Sequence, residues 1–192
     1  MGPFDYQDRM WVHPRGLLGR LGGRLMAWAD GDDVAWAVER LSVRPADRVL
    51  EVGFGPGVGL GYLARAASEG AVVGLDLSPT MLAQARRRNA SLHGDRLRLA
   101  LGSAEALPVA DDSFDRAMAV NTTHLWPDAV AGLGEVHRAL RPGGLVAVAF
   151  SDHVVDAENI AAADVRSTLT RAGFEAVDIG RSEAAICLLA TA

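Results

Sequence analysis

Lysine is absent from this chain, and all 19 of its Lys-or-Arg positions are arginine. That removes Schiff-base catalysis, the anchoring of pyridoxal phosphate and the lysine of a phosphate-binding P-loop. Cysteine is nearly absent. Cys187 stands alone, so neither an intramolecular disulfide nor a cysteine-based zinc cluster can form. Its apolar setting, Ile186-Cys187-Leu188-Leu189-Ala190, marks it as a buried core thiol. No apolar run reaches the roughly 18 residues that a membrane span needs. Asp5 and Asp8 precede any apolar stretch, which argues against a signal peptide and makes the cytoplasm the expected location. No basic block dominates a chain of net charge −5. Arg86-Arg87-Arg88 reads as a solvated helix face, and nucleic acid is not an expected partner.

What is present is one domain's worth of chain, 192 residues of which 49% are apolar. Strand patterns recur at 48–53, 71–76, 96–101, 115–120 and 145–150, with helical stretches at 58–69, 79–91 and 128–140 between them. This alternation predicts an α/β fold with a mostly parallel sheet and helices on both faces. Ser78-Pro79 is a helix start, and Arg141-Pro142-Gly143-Gly144 is a helix stop. A helix near 158–172 precedes two further apolar runs, 176–180 and 184–192. The short link between them, about Arg181 to Glu183, suits an antiparallel hairpin and not a helical crossover. Residues 1–44 fit no strand. They carry Phe4, Tyr6, Trp11, Trp28 and Trp36, and read either as helices packed on the sheet edge or as a helical cap or lid over a ligand.

The strongest local signal is Glu51-Val52-Gly53-Phe54-Gly55-Pro56-Gly57, which follows a strand and opens a helix. Glycine lets the backbone turn sharply and approach a ligand, and the helix N-terminus offers free amide donors. The dinucleotide fingerprint needs glycine at positions one, three and six. Counting from Gly53 places Val58 at six, and counting from Gly55 places Leu60 there. Gly59-Leu60-Gly61 matches a looser form but lies inside the helix. Asp76 ends the second strand, where a carboxylate can accept both ribose hydroxyls of a nucleoside. An acid at that edge faces a cleft, so its removal is expected to cost ligand affinity and little stability.

The segments VLEVGFGPG (49–57), VVGLDLSPTMLAQARRR (72–88), GSAEALPVADDSFD (102–115), AVNTTHLWPD (119–128) and RALRPGG (138–144) resemble, in order and spacing, the class I S-adenosylmethionine-dependent methyltransferases. The likeness is to the methyltransferase-11 type that includes quinone-biosynthesis enzymes. It implies a single Rossmann-like domain over 45–192, with a seven-stranded sheet ending in an antiparallel hairpin and S-adenosylmethionine as cofactor. It also implies roles for matching positions. Glu51, Gly53, Phe54, Gly55 and Gly57 would shape the pocket for the methionine part. Asp76 would hold the ribose, Leu77 would pack on the adenine, and Ser103 and Ala104 would border the adenine edge. Asn121 would approach the cofactor's amino group through its backbone. Many relatives carry aspartate where Ser103 stands; a serine accepts without the charge, or Glu105 takes over.

The expected acceptor is a small, partly apolar molecule. The Asn/Asp-Pro-Pro-aromatic tetrad of the amino-methylating enzymes is replaced here by Asn121-Thr122-Thr123-His124. His124 and His153 follow the fourth and fifth strands, where a general base would sit, and are the candidate catalytic or acceptor-contacting residues. No ligand spacing points to a metal. An NAD(P)-dependent oxidoreductase and a non-catalytic S-adenosylmethionine-binding module are the alternatives that the motifs leave open.

Overall fold

The computed structural model describes residues 31–92, 94 and 96–192. The expected cap or lid over 1–44 therefore lies largely outside the described residues. Its described part is helix α1 (Gly31–Leu41), which buries Val34, Ala37, Val38 and Leu41.

Strand β1 (Arg48–Val52) leads through the glycine turn into α2 (Val58–Ala66). Then follow β2 (Ala71–Asp76), α3 (Pro79–Arg88), β3 (Leu97–Leu101) and β4 (Phe114–Val120). A 3-10 turn at Thr123–Leu125 precedes α4 (Ala129–Ala139) and β5 (Leu140–Ser151). The rest is α5 (Asp152–Glu158), α6 (Ala162–Arg171), β6 (Glu175–Arg181) and β7 (Ala185–Thr191). The seven strands form one sheet in the order β3-β2-β1-β4-β5-β7-β6. The first five are parallel, and β7 runs antiparallel to both β5 and β6, as the short link had indicated.

Local chemistry sets the helix boundaries. The Met81 amide donates to Ser78 Oγ at 3.3 Å, and Pro79 occupies the first turn of α3. Asp128 Oδ1 accepts from the Val130 and Ala131 amides, each at 3.0 Å, at the start of α4. The Arg141–Gly144 stop ends α4, but the same residues also belong to β5. They form an irregularity in its pairing with β4, and Gly143 takes φ +79° with its amide donating to the Ala192 carbonyl at 2.7 Å. The helix expected near 158–172 is α6, and a further short helix that the sequence reading lacked precedes it. The short α5 starts directly after β5, and Asn159 in the left-handed region separates it from α6.

Two apolar layers cover the sheet. One joins α1, α2 and α3 to it through Leu41, Leu60, Leu63, Met81 and Ala85. The other brings α4 and α6 to it through Leu133, Val136, Ala139 and Leu169. Arg40 ties α1 to the hairpin: it pairs with Asp178 at 2.6 Å and lies across Gly180, where a side chain would overlap the guanidinium. Among the described residues no helix is long and apolar enough to cross a membrane. Leu63 is fully buried, so Leu63→Ala is expected to cost about 2–5 kcal/mol. Urea titration should show a lower midpoint with an unchanged slope.

Candidate active site

The strand order reverses direction between β1 and β4, and in open α/β sheets the crevice beyond the carboxyl ends of the strands at such a point is the natural ligand site. The main cleft of the molecule lies there. Its floor is the glycine turn, one side is the end of β2 and the segment 102–105, and the other is the chain after β4.

Three glycines of the turn, Gly53, Gly55 and Gly57, have φ of +75°, +52° and +82°. Such angles strain a side-chain-bearing residue, and two of the three positions are also crowded. A Cβ at Gly53 would overlap Thr122 Oγ1, and one at Gly57 would lie 2.7 Å from Ala85 Cβ. Gly55 differs, because a Cβ there would meet nothing within 4 Å and would enter the cleft. Gly59 is the second residue of α2. Its missing side chain gives room to the Glu51 carboxyl, since a Cβ would overlap Glu51 Oε1.

Glu51 is buried, and its Oε2 has no hydrogen-bond partner among the described residues. Burial, with the nearby Asp76 charge adding to it, pushes its carboxyl well above the usual carboxylate range. Asp76 accepts two backbone hydrogen bonds, from the Gly55 amide on Oδ2 and the Ser78 amide on Oδ1, both at 2.8 Å. Its carboxyl is raised by burial, against the lowering effect of these two bonds. Each oxygen keeps a second lone pair for a hydroxyl donor. These bonds revise the expectation that Asp76 matters little to the free fold, because the side chain fastens the glycine turn to the start of α3.

The structure brings Glu51, Gly53, Phe54, Gly55, Asp76, Leu77, Ala104 and Asn121 to one cleft, Leu77 being 60% exposed. Gly57 sits behind the wall as the left-handed cap of α2. Ser103 does not line the cleft. Its hydroxyl donates to Glu105 Oε2, and this bond holds the Glu105 carboxyl below the usual range. Glu105 is the residue that faces the cleft there. The buried Asn121 has φ +52°, and its amide group both donates to Ser151 Oγ at 2.9 Å and accepts from the Ser151 amide at 2.8 Å. The side chain is thus engaged with Ser151, and the residue borders the cleft.

Neither candidate histidine reaches this cleft. His124 points to the α6 side of the sheet, into a small pocket with Phe150, Ile160, Asp164 and Val165, its ring 5.9 Å from that of Phe150. Burial lowers its pKa, partly offset by Glu158, and its Nδ1 is buried without a partner. His153 is an exposed residue of α5. Sequence reasoning gave no role to Thr122, Trp126 or Val34, all of which line the cleft. Thr122 Oγ1 accepts from Trp126 Nε1 at 3.2 Å, and the Trp126 ring fills the space that a side chain at Gly132 would take. Glycine at 132 inside a helix was the available signal. Among the described residues no group of three or more His, Cys, Asp or Glu could hold a metal.

A family model described as a methyltransferase domain matches residues 49–144, from β1 into the irregular start of β5. The chain belongs to the class I S-adenosylmethionine-dependent methyltransferases. This methyltransferase is 30% identical over 163 residues to the uncharacterized methyltransferase YdaC of Bacillus subtilis, covering 83% of this chain and 88% of that one. It is 43% identical over 97 residues to a fatty-acid O-methyltransferase of Mycolicibacterium smegmatis, covering 50% of this chain but 34% of the relative. Most of the other curated relatives it matches are likewise spanned over less than half their length. In fold it superposes on a Haemonchus contortus phosphoethanolamine N-methyltransferase 2 solved with S-adenosylhomocysteine. There the TM-score is 0.76 at 16% identity, over 97% of this chain and 59% of that one.

The glycine turn supplies a paired test in this methyltransferase. Gly53→Ala is expected to destabilise the fold by about 1–3 kcal/mol for the backbone alone, with the Thr122 overlap added. Gly55→Ala should cost only about 1–2 kcal/mol, while placing a methyl group in the cleft and weakening cofactor binding. Melting curves with and without S-adenosylhomocysteine separate the two: Gly53→Ala lowers both midpoints, and Gly55→Ala chiefly loses the ligand-induced rise.

Proposed function

We propose that this protein transfers a methyl group from S-adenosylmethionine to a small, partly apolar molecule. The observation that carries the reading is the Asp76 carboxylate, fixed by the Gly55 and Ser78 amides at the mouth of a glycine-floored cleft. The residues fit the cofactor's chemistry. The orphaned Oε2 of Glu51 suits a cationic group, Asp76 suits a pair of hydroxyls, and the open space over Gly55 admits close backbone approach. Leu77, Ala104 and Glu105 are assigned to the adenine, Glu105 taking the part expected of Ser103. Asn121 presents its backbone to the methionine end.

When bound, S-adenosylmethionine supplies a methyl carbon made electrophilic by its sulfonium. The chain's own contribution is orientation, which can lower a barrier by roughly 7–11 kcal/mol. The left-handed turn would hold the methionine end of the ligand and Asp76 its ribose, with the adenine beyond at Leu77, Ala104 and Glu105. Thr122 is pressed against Gly53 and bonded to Trp126, so the turn and the chain after β4 keep a constant separation. The rest of the wall is apolar, from Val34, Leu125, Trp126 and Pro127, which supports a partly apolar acceptor. The fatty-acid enzyme among the relatives supports a small-molecule acceptor too. The reading gives His124 and His153 no part as general base.

S-adenosylhomocysteine should raise the melting temperature while NADP leaves it unchanged; the reverse would overturn the reading. Asp76→Ala should weaken cofactor binding by roughly tenfold to a few hundredfold, as a lost bond to a charged group costs about 1.5–3 kcal/mol. It should also lower the unliganded melting temperature, because two amides lose their acceptor, and Asp76→Asn should recover part of both. Titration calorimetry beside unliganded melting curves checks this. Unchanged cofactor affinity in Asp76→Ala would remove the ribose from that position.

A further inference from the structure

Glu51 is the one fully buried carboxylate in the described part of the cleft, and the structure leaves half of it unanswered. One oxygen fills the hollow at Gly59, and the other, Oε2, has no partner among the described residues although it is buried. Leaving an ionised carboxylate in that condition costs several kcal/mol, and neutralisation by a proton is the usual escape.

Among the described residues the charged groups around it give no relief. On β2 the facing group is Asp76, a second carboxylate. On β4 Glu51 lies opposite Met118, and Arg116 sits toward the other end of that strand, within 3.6 Å of Asp47. On α2 the first turn carries no charged residue, and Arg65 stands in the last. From α1 the cleft wall receives Val34, and from the chain after β4 it receives Asn121 and Thr122, all uncharged. The positive end of the α2 dipole favours the ionised form, but none of its amides donates to Oε2.

Resting on the reading of the cleft as a cofactor site, we propose that the Glu51 carboxyl carries a proton in the free protein and releases it to solvent when the ligand's α-ammonium group binds. The balance is simple. The O–H bond of the carboxyl breaks, the proton leaves to buffer, and the carboxylate then pairs with the positive charge that the ligand brings. Glu51 is thus a specificity residue for charge. It makes a neutral surface for a neutral ligand and an anion only for a cation. Affinity should rise with pH, by up to about tenfold per pH unit, until the free-protein carboxyl ionises by itself, and then level off.

The test is titration calorimetry of the full-length protein with S-adenosylhomocysteine, and separately with S-adenosylmethionine, in buffers of different ionisation enthalpy. It is run between about pH 5 and pH 7, where the ligand's α-amino group is already protonated. The expected result is a release approaching one proton per ligand at the acidic end, lost in Glu51→Gln and kept in Asp76→Asn. Release lost in Asp76→Asn and kept in Glu51→Gln assigns the proton to Asp76 and overturns the proposal. Binding with no proton exchange in the wild type overturns it and leaves the methyltransferase reading standing; no binding of either ligand overturns both. Infrared difference spectra of the wild type guard against a poorly folded variant. A carboxylic-acid carbonyl band should vanish on ligand addition, and a spectrum without that loss counts against the proposal.

Discussion

The cleft depends on a carboxylate used twice. Asp76 gathers the Gly55 amide and the Ser78 amide into one grip, so the turn after β1 and the start of α3 hold a fixed distance. Without it the left-handed glycines would have the freedom that makes glycine costly to order. The same side chain offers its remaining lone pairs outward. In the proposed function, structure and recognition draw on one group, and a change there would be felt by both.

Around this grip the fold supplies rigidity in layers. Asn89 donates to the Gly57 carbonyl at 2.8 Å from the end of α3, so the helix that Ser78 caps returns to brace the turn from behind. Thr122 presses on Gly53 from the other side. The glycines therefore do different work: Gly53, Gly57 and Gly59 admit neighbouring protein atoms, and Gly55 alone leaves its space to a ligand. The sequence shows four similar letters, and the packing makes them unlike.

Much of this was legible beforehand. The five parallel strands, the hairpin and the glycine turn follow from periodicity and from the length of the connections, which are strong constraints. The seven-residue α5 was missed, because so short a helix shows no clear apolar stripe. His124 misled for a geometric reason. Position after a strand places a residue near the cleft, but a 3-10 turn decides which side of the sheet it faces, and that turn aims His124 at Phe150. Ser103 and Glu105 illustrate the same limit, since two residues apart on a tight loop, the shorter side chain became the support of the longer one.

The Asn121–Ser151 clamp has a consequence for how such a protein diversifies. It locks the tips of β4 and β5 together with both the donor and the acceptor of one amide, at a backbone angle that asparagine tolerates better than most residues. Everything before it serves the common cofactor seat. Just after it the 3-10 turn leads to Leu125, Trp126 and Pro127, which complete the cleft wall, while α5 lies outside that wall. New acceptors can therefore be accommodated by exchanging residues downstream of two fixed points, with the machinery for the methyl donor inherited intact.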